Sequence, residues 1–361
     1  MKIVVDEKAV NFRLTNEILK RAHPSSINSL DVEKSHEGER QVEEPVVLIT
    51  PFKGAFVKKC PGTKHYLCCG YIIFHFAENC PLGCSYCILQ AYFNRPGFRI
   101  WANLIEDGLT SLHSFLKERT EKGELTRVGT GEFTDSLVFE ALTGVAWTLI
   151  EFWKETGPFA VLELKTKTAP SSAFYSELPS DKRIIFAWSV NTERIIEKEE
   201  KHTASLKARF QSAEEALKHG FSLAFHFDPI ILYEGEEAEY SKVLEEILNR
   251  FPLNRIAWIS LGMLRFPPEL KEVAPKNFPK TKVYADEFIR GLDQKYRYFI
   301  DRRIKAYKKI LEPFKKYLNE IPLYFCMEGK RVWQEVLGKP FQTSEEVAKL
   351  LDSYAKRTCF S

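Results

Sequence analysis

From about Val46 onward, short apolar runs alternate with longer amphipathic segments. The runs are GYIIFHFAEN (70–79), LTRVGTGEF (125–133), AVLELKTK (160–167), RIIFAWSVN (183–191), FSLAFHFDP (221–229) and IAWISLGML (256–264). They are largely continuous rather than alternating, as strands buried on both faces are. Between them lie helix-like stretches: Leu104–Glu121, Ser136–Thr156, the short Ser172–Leu178, Ser205–Gly220 and Ala238–Arg250. In the fourth, Leu206, Phe210, Ala213 and Leu217 mark one apolar face, and Gly220 stands where a helix C-terminal glycine belongs.

Six strands with crossover helices predict an α/β fold with a parallel sheet. Six units fall short of a closed eight-fold barrel, which leaves a partial barrel or a doubly wound sheet. Polar residues gather at the C-terminal ends of five runs: Asn79–Cys87, Gly131–Asp135, Lys165 with Lys167, Ser189 with Asn191, and Asp228. An open sheet binds at one switch point, whereas a barrel uses the whole rim. The expectation is therefore a partial (β/α)6 TIM-type barrel over residues 46–265. Residues 1–45 read as an N-terminal extension, with a short helix near Thr15–Ala22 and a polar linker over Ser35–Glu44. Residues 266–361 read as a C-terminal extension with helices over Tyr284–Lys316 and Thr343–Lys356 and a strand-like run, IPLYFCMEG (321–329).

Composition sets the setting for this fold. The chain has 361 residues, 44% hydrophobic and 28% charged, the balance of a globular protein with a real core. No stretch approaches the roughly 18–20 apolar residues of a membrane span. The start, MKIVVDEKAVNFR, lacks an apolar run of signal-peptide length, so a cytoplasmic location is expected. There, eight cysteines are expected to serve as thiols or metal ligands rather than in disulfides. A net charge of +3 is too small to argue for a nucleic-acid partner.

The sharpest motif is Cys80-Pro-Leu-Gly-Cys84-Ser-Tyr-Cys87. Three thiolates from one loop can take three corners of a [4Fe–4S] cluster and leave the fourth iron open to a chelating amino acid. A structural zinc site needs four ligands and usually two such hooks, and only one is present. Cys60, Cys68 and Cys69 read as small buried residues or, less readily, as a second metal site; Cys326 reads as core. Cys359 reads as a free thiol near the C-terminus and as a candidate hydrogen-atom donor.

Directly after the second run comes Gly129-Thr-Gly131-Glu132-Phe-Thr134-Asp135. Glycines at a strand end let a ligand approach the backbone, and a carboxylate accepts bonds from an ammonium group. The cysteine spacing resembles the radical S-adenosylmethionine superfamily, which carries a similar glycine–acid segment here; the resemblance implies S-adenosylmethionine contacts at Gly131, Glu132 and Thr134, joined by Lys167, Ser189 and Asn191 on the following rims. Asp228 reads equally as a substrate contact or a turn-capping acid. Tyr86, Tyr92 and Glu132 are the catalytic candidates.

The CxxxCxxC spacing after a first buried strand resembles the radical S-adenosylmethionine superfamily. Cys84-Ser-Tyr-Cys87-Ile-Leu-Gln90 is similar to the cluster loop of spore photoproduct lyases, and Ser189-Val-Asn191 to their Ser-Ile-Asn. Arg265-Phe266 and Lys276-Asn-Phe-Pro-Lys-Thr-Lys282 resemble two further motifs of that family, in order, within roughly residues 70–300. The resemblance implies cluster ligands Cys80, Cys84 and Cys87, S-adenosylmethionine contacts near Thr134, Lys167 and Ser189, and an electron donor such as flavodoxin or ferredoxin. It also implies radical repair of a thymine dimer in spore DNA, completed when a cysteine returns a hydrogen atom. Two positions depart from the pattern. Gly131-Glu132-Phe133 holds no thiol where the family has its donor, and Ile88 replaces a tyrosine. A radical enzyme with a metabolite, peptide or RNA substrate, or an iron–sulfur or zinc sensor, are the alternatives. A segment mixing bases and aromatics, Lys295-Tyr-Arg-Tyr298 through Lys305-Ala-Tyr307-Lys-Lys309, is a candidate DNA contact; an ordinary basic helix face would look similar.

Overall fold

Every one of the six apolar runs contains a strand: Ile72–Phe74, Thr126–Gly129, Ala160–Thr166, Ile184–Ser189, Ser222–Ile230 and Ile256–Met263. The structure is a computed structural model that describes residues 2–23, 27–30, 46–93 and 97–361. The polar stretch Ser35–Glu44 lies outside the described residues. Contacts divide the chain into two units, one of residues 1–59, 72–81 and 92–165, the other of residues 60–71, 82–91 and 166–361.

The first unit holds two groups of strands. Lys2–Asp6 pairs in parallel with both Ile27–Leu30 and Val46–Thr50, which in turn pairs in parallel with Phe98–Trp101. Ala77–Glu78 closes that sheet antiparallel to Phe98–Trp101. In the other group Ile72–Phe74 lies parallel to Thr126–Gly129, which lies parallel to Ala160–Thr166, and Val57–Lys59 adds an antiparallel edge. The helix expected over Ser136–Thr156 is two, Glu140–Thr143 and Val145–Thr156, because the backbone turns left-handed at Gly144 with φ 63°. Such a residue closes one helix and sets the direction of the next.

The second unit carries four parallel strands, Ile184–Ser189, Ser222–Ile230, Ile256–Met263 and Leu323–Phe325, in that spatial order. Ile184–Ser189 is buried along its whole length. Leu206–Lys218 starts on the Ser205 hydroxyl, which accepts from the Ala208 amide at 3.2 Å, and covers the sheet through Phe210 and Phe225, with ring centroids 6.1 Å apart. The long helix expected over Tyr284–Lys316 is confined to Ile300–Leu311. Before it, Ile289–Arg290 and Tyr296–Arg297 pair as an antiparallel hairpin, joined by Arg265–Phe266. Tyr298 is fully buried and Phe299 is 49% exposed. The Tyr298 hydroxyl accepts the Leu232 amide at 3.1 Å, which explains why the tyrosine is the one taken inside.

Candidate active site

In the first unit the strand Ile72–Phe74 runs into His75, which is 4% exposed. Phe52, Trp101 and Phe133 surround its ring, with centroids 4.9, 5.5 and 4.5 Å away. Burial, and then the nearby Lys58 charge, push its pKa down to about 3 against the pull of a backbone hydrogen bond at Ala77. The imidazole is therefore neutral at physiological pH. Four residues on, Asn79 adopts a left-handed φ of 68°; its side-chain oxygen accepts the Cys80 amide at 2.9 Å and its amide donates to Gly97 O at 3.0 Å. Asparagine tolerates that conformation because its side chain bonds the local backbone.

The Thr126–Gly129 strand delivers the segment Gly131–Asp135. Ser136 staples its far end, with its amide donating to Lys165 O at 3.0 Å and its hydroxyl accepting the Lys165 amide at 3.0 Å. A Cβ at position 131 would stand 2.9 Å from Lys165 Cβ, so the approach requires glycine. Thr134 is buried, and its hydroxyl has no hydrogen-bond partner among the described residues. A buried hydroxyl in that state is suited to a ligand's acceptor. Glu132 is half-buried, and Tyr92 is 46% exposed.

In the second unit Cys84–Gln90 is fixed from two sides. From one side, the Ser85 amide donates to Glu199 O at 2.8 Å, the Ser85 hydroxyl donates to the Glu199 carboxylate, and the Tyr86 hydroxyl donates to Glu200. Glu200 forms a fully buried ion pair with Arg209, whose guanidinium also donates to Thr203 Oγ1 at 2.7 Å, Ser189 O at 2.8 Å and Ala204 O at 2.9 Å. Burial alone would raise the Glu200 pKa, but Lys167, Arg209 and hydrogen bonds from Tyr86 and Arg209 outweigh it and hold the carboxylate ionised. From the other side, Tyr284 donates to Ser85 O at 2.9 Å, Thr281 to Glu199 Oε2 at 2.7 Å, and Asn277 to the Gln90 side chain at 3.0 Å. Gln90 itself donates to Cys84 O at 3.1 Å and Ser85 O at 3.0 Å.

The motif over 276–282 is thus a strut for the cysteine loop. Its role was not legible beforehand, nor were those of Glu199, Glu200, Arg209 and Tyr284. Glu199 and Glu200 sit in EKEEKH, which reads as a solvated charge run. Arg209 did carry a signal: it lies three residues after Leu206 and four before Ala213, inside the apolar stripe.

The remaining candidates divide. Lys167 is half-buried with Nζ 5.9 Å from the Tyr86 ring centroid. Burial, then the Glu200 and Cys84 charges, raise the Tyr86 pKa well above the ordinary tyrosine value. Ser189 is buried at its strand end. Asn191 spends its side chain inside the protein, accepting the Tyr240 hydroxyl at 2.6 Å and donating to Pro229 O at 3.0 Å. Asp228 pairs with Arg265 at 3.0 Å.

None of the described cysteines forms a disulfide; Cys84 is buried and Cys80 and Cys87 are half-buried. Among the described residues no three His, Cys, Asp or Glu side chains converge as ligands of one ion would. A cubane takes one thiolate per iron, on separate corners rather than around one ion, so three cysteines outside disulfides on one short loop fit it. Among the described residues no helix is long and apolar enough to cross a membrane.

A family model described as spore photoproduct lyase matches residues 68–322. The spore photoproduct lyase of Bacillus subtilis is 29% identical over 215 residues, which cover 59% of this chain and 61% of that protein's length. That of Clostridium acetobutylicum is 26% identical over 250 residues, covering 69% of this chain and 72% of the relative. A solved spore photoproduct lyase complexed with dinucleoside spore photoproduct is similar at a TM-score of 0.76 and 20% identity, over 90% of this chain and 98% of that one. A variant of such a lyase with bound AdoMet and dinucleoside spore photoproduct is similar at 0.74 and 20% identity, over the same shares of each chain. This likeness shows the fold, an α/β partial TIM-type barrel of parallel strands, as expected from the rim pattern. With a family model spanning most of its length, this chain belongs to the spore photoproduct lyase family.

Proposed function

We propose that this chain cleaves S-adenosylmethionine reductively and uses the resulting radical to reverse a thymine photolesion in DNA. When bound, a [4Fe–4S] cluster supplies the electron that breaks the sulfonium and frees a 5′-deoxyadenosyl radical. Cys80, Cys84 and Cys87 would hold it. The observation that carries this reading is the bracing of Cys84–Gln90 by the buried Glu200–Arg209 pair and by Tyr284. So much bonding around a short loop is what holding ligands in place requires.

The other residues take roles set by their chemistry. Glu132 accepts from the ammonium of S-adenosylmethionine, the Thr134 hydroxyl donates to an acceptor oxygen of the same ligand, and Lys167 and Ser189 meet its carboxylate and ribose. Tyr86 keeps its proton, since its pKa is raised by burial, and stands as a relay for a hydrogen atom. The dinucleoside photoproduct bound by a solved spore photoproduct lyase of similar fold supports this substrate class. Along the basic segment, Tyr298 is buried, Arg302 pairs with Asp286 at 2.7 Å and Lys308 with Glu335 at 3.8 Å, so phosphate contacts fall to exposed lysines such as Lys305. Flavodoxin or ferredoxin is the class of electron donor.

Anaerobic reconstitution should give about four irons per chain. The reduced protein should release 5′-deoxyadenosine and methionine, and should convert dinucleoside spore photoproduct to thymine monomers. Cys84→Ala should lose both iron and cleavage. Stoichiometric zinc without a visible chromophore would overturn the reading. The absence of a thiol in Gly131-Glu132-Phe133 supports a second reading, the same radical generator with a different substrate. Good S-adenosylmethionine cleavage with no thymine product would select it.

A further inference from the structure

The parallel register of the second unit sorts its strands into two faces. Trp188, Phe225, Ile259 and Leu323 lie side by side on one. Helices cover that face: Phe210 meets Phe225 at 6.1 Å between ring centroids, and Trp333 meets Phe325 at 5.2 Å. The other face carries a polar row, Ser189, His226, Ser260 and Tyr324. Ser260 is fully buried there, and its hydroxyl has no hydrogen-bond partner among the described residues. A polar row inside a parallel sheet marks the face turned to a ligand rather than to helices.

Gly262, two residues beyond Ser260, keeps that face, and the Asp228 carboxylate, past a register irregularity between Phe227 and Ile230, stands against it; Cys326 lies two residues beyond Tyr324. Arg265 binds them together. Its guanidinium donates to Asp228 Oδ1 at 3.0 Å and Oδ2 at 3.2 Å, to Cys326 Sγ at 3.3 Å and to Met327 Sδ at 3.2 Å. A Cβ at position 262 would stand 2.9 Å from Asp228 Oδ1 and 3.1 Å from Arg265 Nη1, so the ion pair occupies the space that only glycine leaves. The Cys326 amide donates to Leu261 O at 3.0 Å, which fixes the thiol at the strand end. Cys326 is therefore not the core residue the sequence suggests. It is a half-buried thiol on the polar face, anchored by a locked arginine.

We infer that Cys326 donates the hydrogen atom that quenches the substrate carbon radical, with Arg265 as its positioning residue; this rests on the radical lyase reading above. Once the photoproduct bond breaks, one base is left as a carbon radical. The S–H bond of Cys326 breaks, a C–H bond forms on that base, and the radical moves to sulfur. One electron from the reductant that serves the cluster, with one proton from water, restores the thiol. A thiol suits the step because S–H is the weakest bond to hydrogen among the polar groups on this face. Donation needs the protonated form, and burial, followed by the Asp228 charge, pushes the Cys326 pKa well up; Arg265 opposes and Cys69 and Cys60 add to the rise. Cys359 is placed at the wrong end, its Sγ 3.8 Å from the hydroxyl of Ser222, the first residue of its strand.

Two measurements test the assignment. In the unreduced protein, without turnover, saturating dinucleoside spore photoproduct should slow N-ethylmaleimide labelling of Cys326 by about tenfold or more at pH 9, while Cys359 is unaffected. In reduced protein equilibrated with deuterium oxide, the thymine product should carry one deuterium. Cys326→Ala and Cys326→Ser should keep iron content and 5′-deoxyadenosine release, yet lose the labelled product by about tenfold or more; Cys359→Ala should retain it. Unprotected Cys326 with substrate bound, or labelled product at the wild-type rate from Cys326→Ser, overturns the donor assignment alone. Release of 5′-deoxyadenosine by wild type with no thymine product overturns the lyase reading and the donor role with it.

Discussion

Arg209→Met removes one partner of an ion pair whose side chains are 0% and 1% exposed. The guanidinium bonds Glu200, Thr203, Ser189 O and Ala204 O, while Glu200 in turn accepts from Tyr86 on the cysteine loop. With the arginine gone, a buried carboxylate keeps only half-buried Lys167 as a counter-charge. Breaking such a pair costs about 3–5 kcal/mol, because the charge left behind stays desolvated. At about 2–4 °C per kcal/mol for a unit of this size, the melting temperature should fall by roughly 6–20 °C. The double variant Glu200→Gln with Arg209→Met leaves no stranded charge and keeps an acceptor for Tyr86, so it should recover at least half the loss. Anaerobic thermal melts of the cluster-loaded protein measure both, and iron released to a chelator reports the loop. A loss below about 1 kcal/mol, the level of a surface pair, would refute the reasoning. So would a double variant no more stable than the single one.

Other outcomes follow from the same geometry. His75 protonates near pH 6.5 in the unfolded chain and only near pH 3 in the folded protein, so over that window the unfolded state binds more protons. Stability should therefore drop as the pH is lowered from about 6.5 towards about 3, by up to about 1.4 kcal/mol per unit, and His75→Phe should flatten the profile of denaturant melts; parallel profiles would exclude this histidine as the cause. Tyr284→Phe deletes the 2.9 Å bond to Ser85 O and should cost about 1 kcal/mol. Iron should leave this variant faster in a chelator challenge, and an unchanged rate would mean Tyr284 is no strut for the loop.

Sequence by itself determined what depends on neighbours along the chain. Strand positions followed from runs of buried residues, because a strand covered on both faces has no polar position to alternate with. The cysteine spacing pointed to a cluster because three thiols on one loop can reach separate irons without a ligand from elsewhere in the chain. Only the tertiary structure decided how those residues are held and which end of the sheet each outlying residue reaches. Glu200 looks solvated in its charge run and Arg209 lies unexplained inside an apolar stripe, and the two become a buried clamp because folding gives each the other. Arg265 and Asp228 are 37 positions apart, and Cys326 lies 61 beyond Arg265. What brings them together is parallel register between strands, a property of pairing that local pattern does not encode. For the same reason Cys326, in an apolar run, and Cys359, beside charged residues, end at opposite ends of the strands, which neither local pattern foretells.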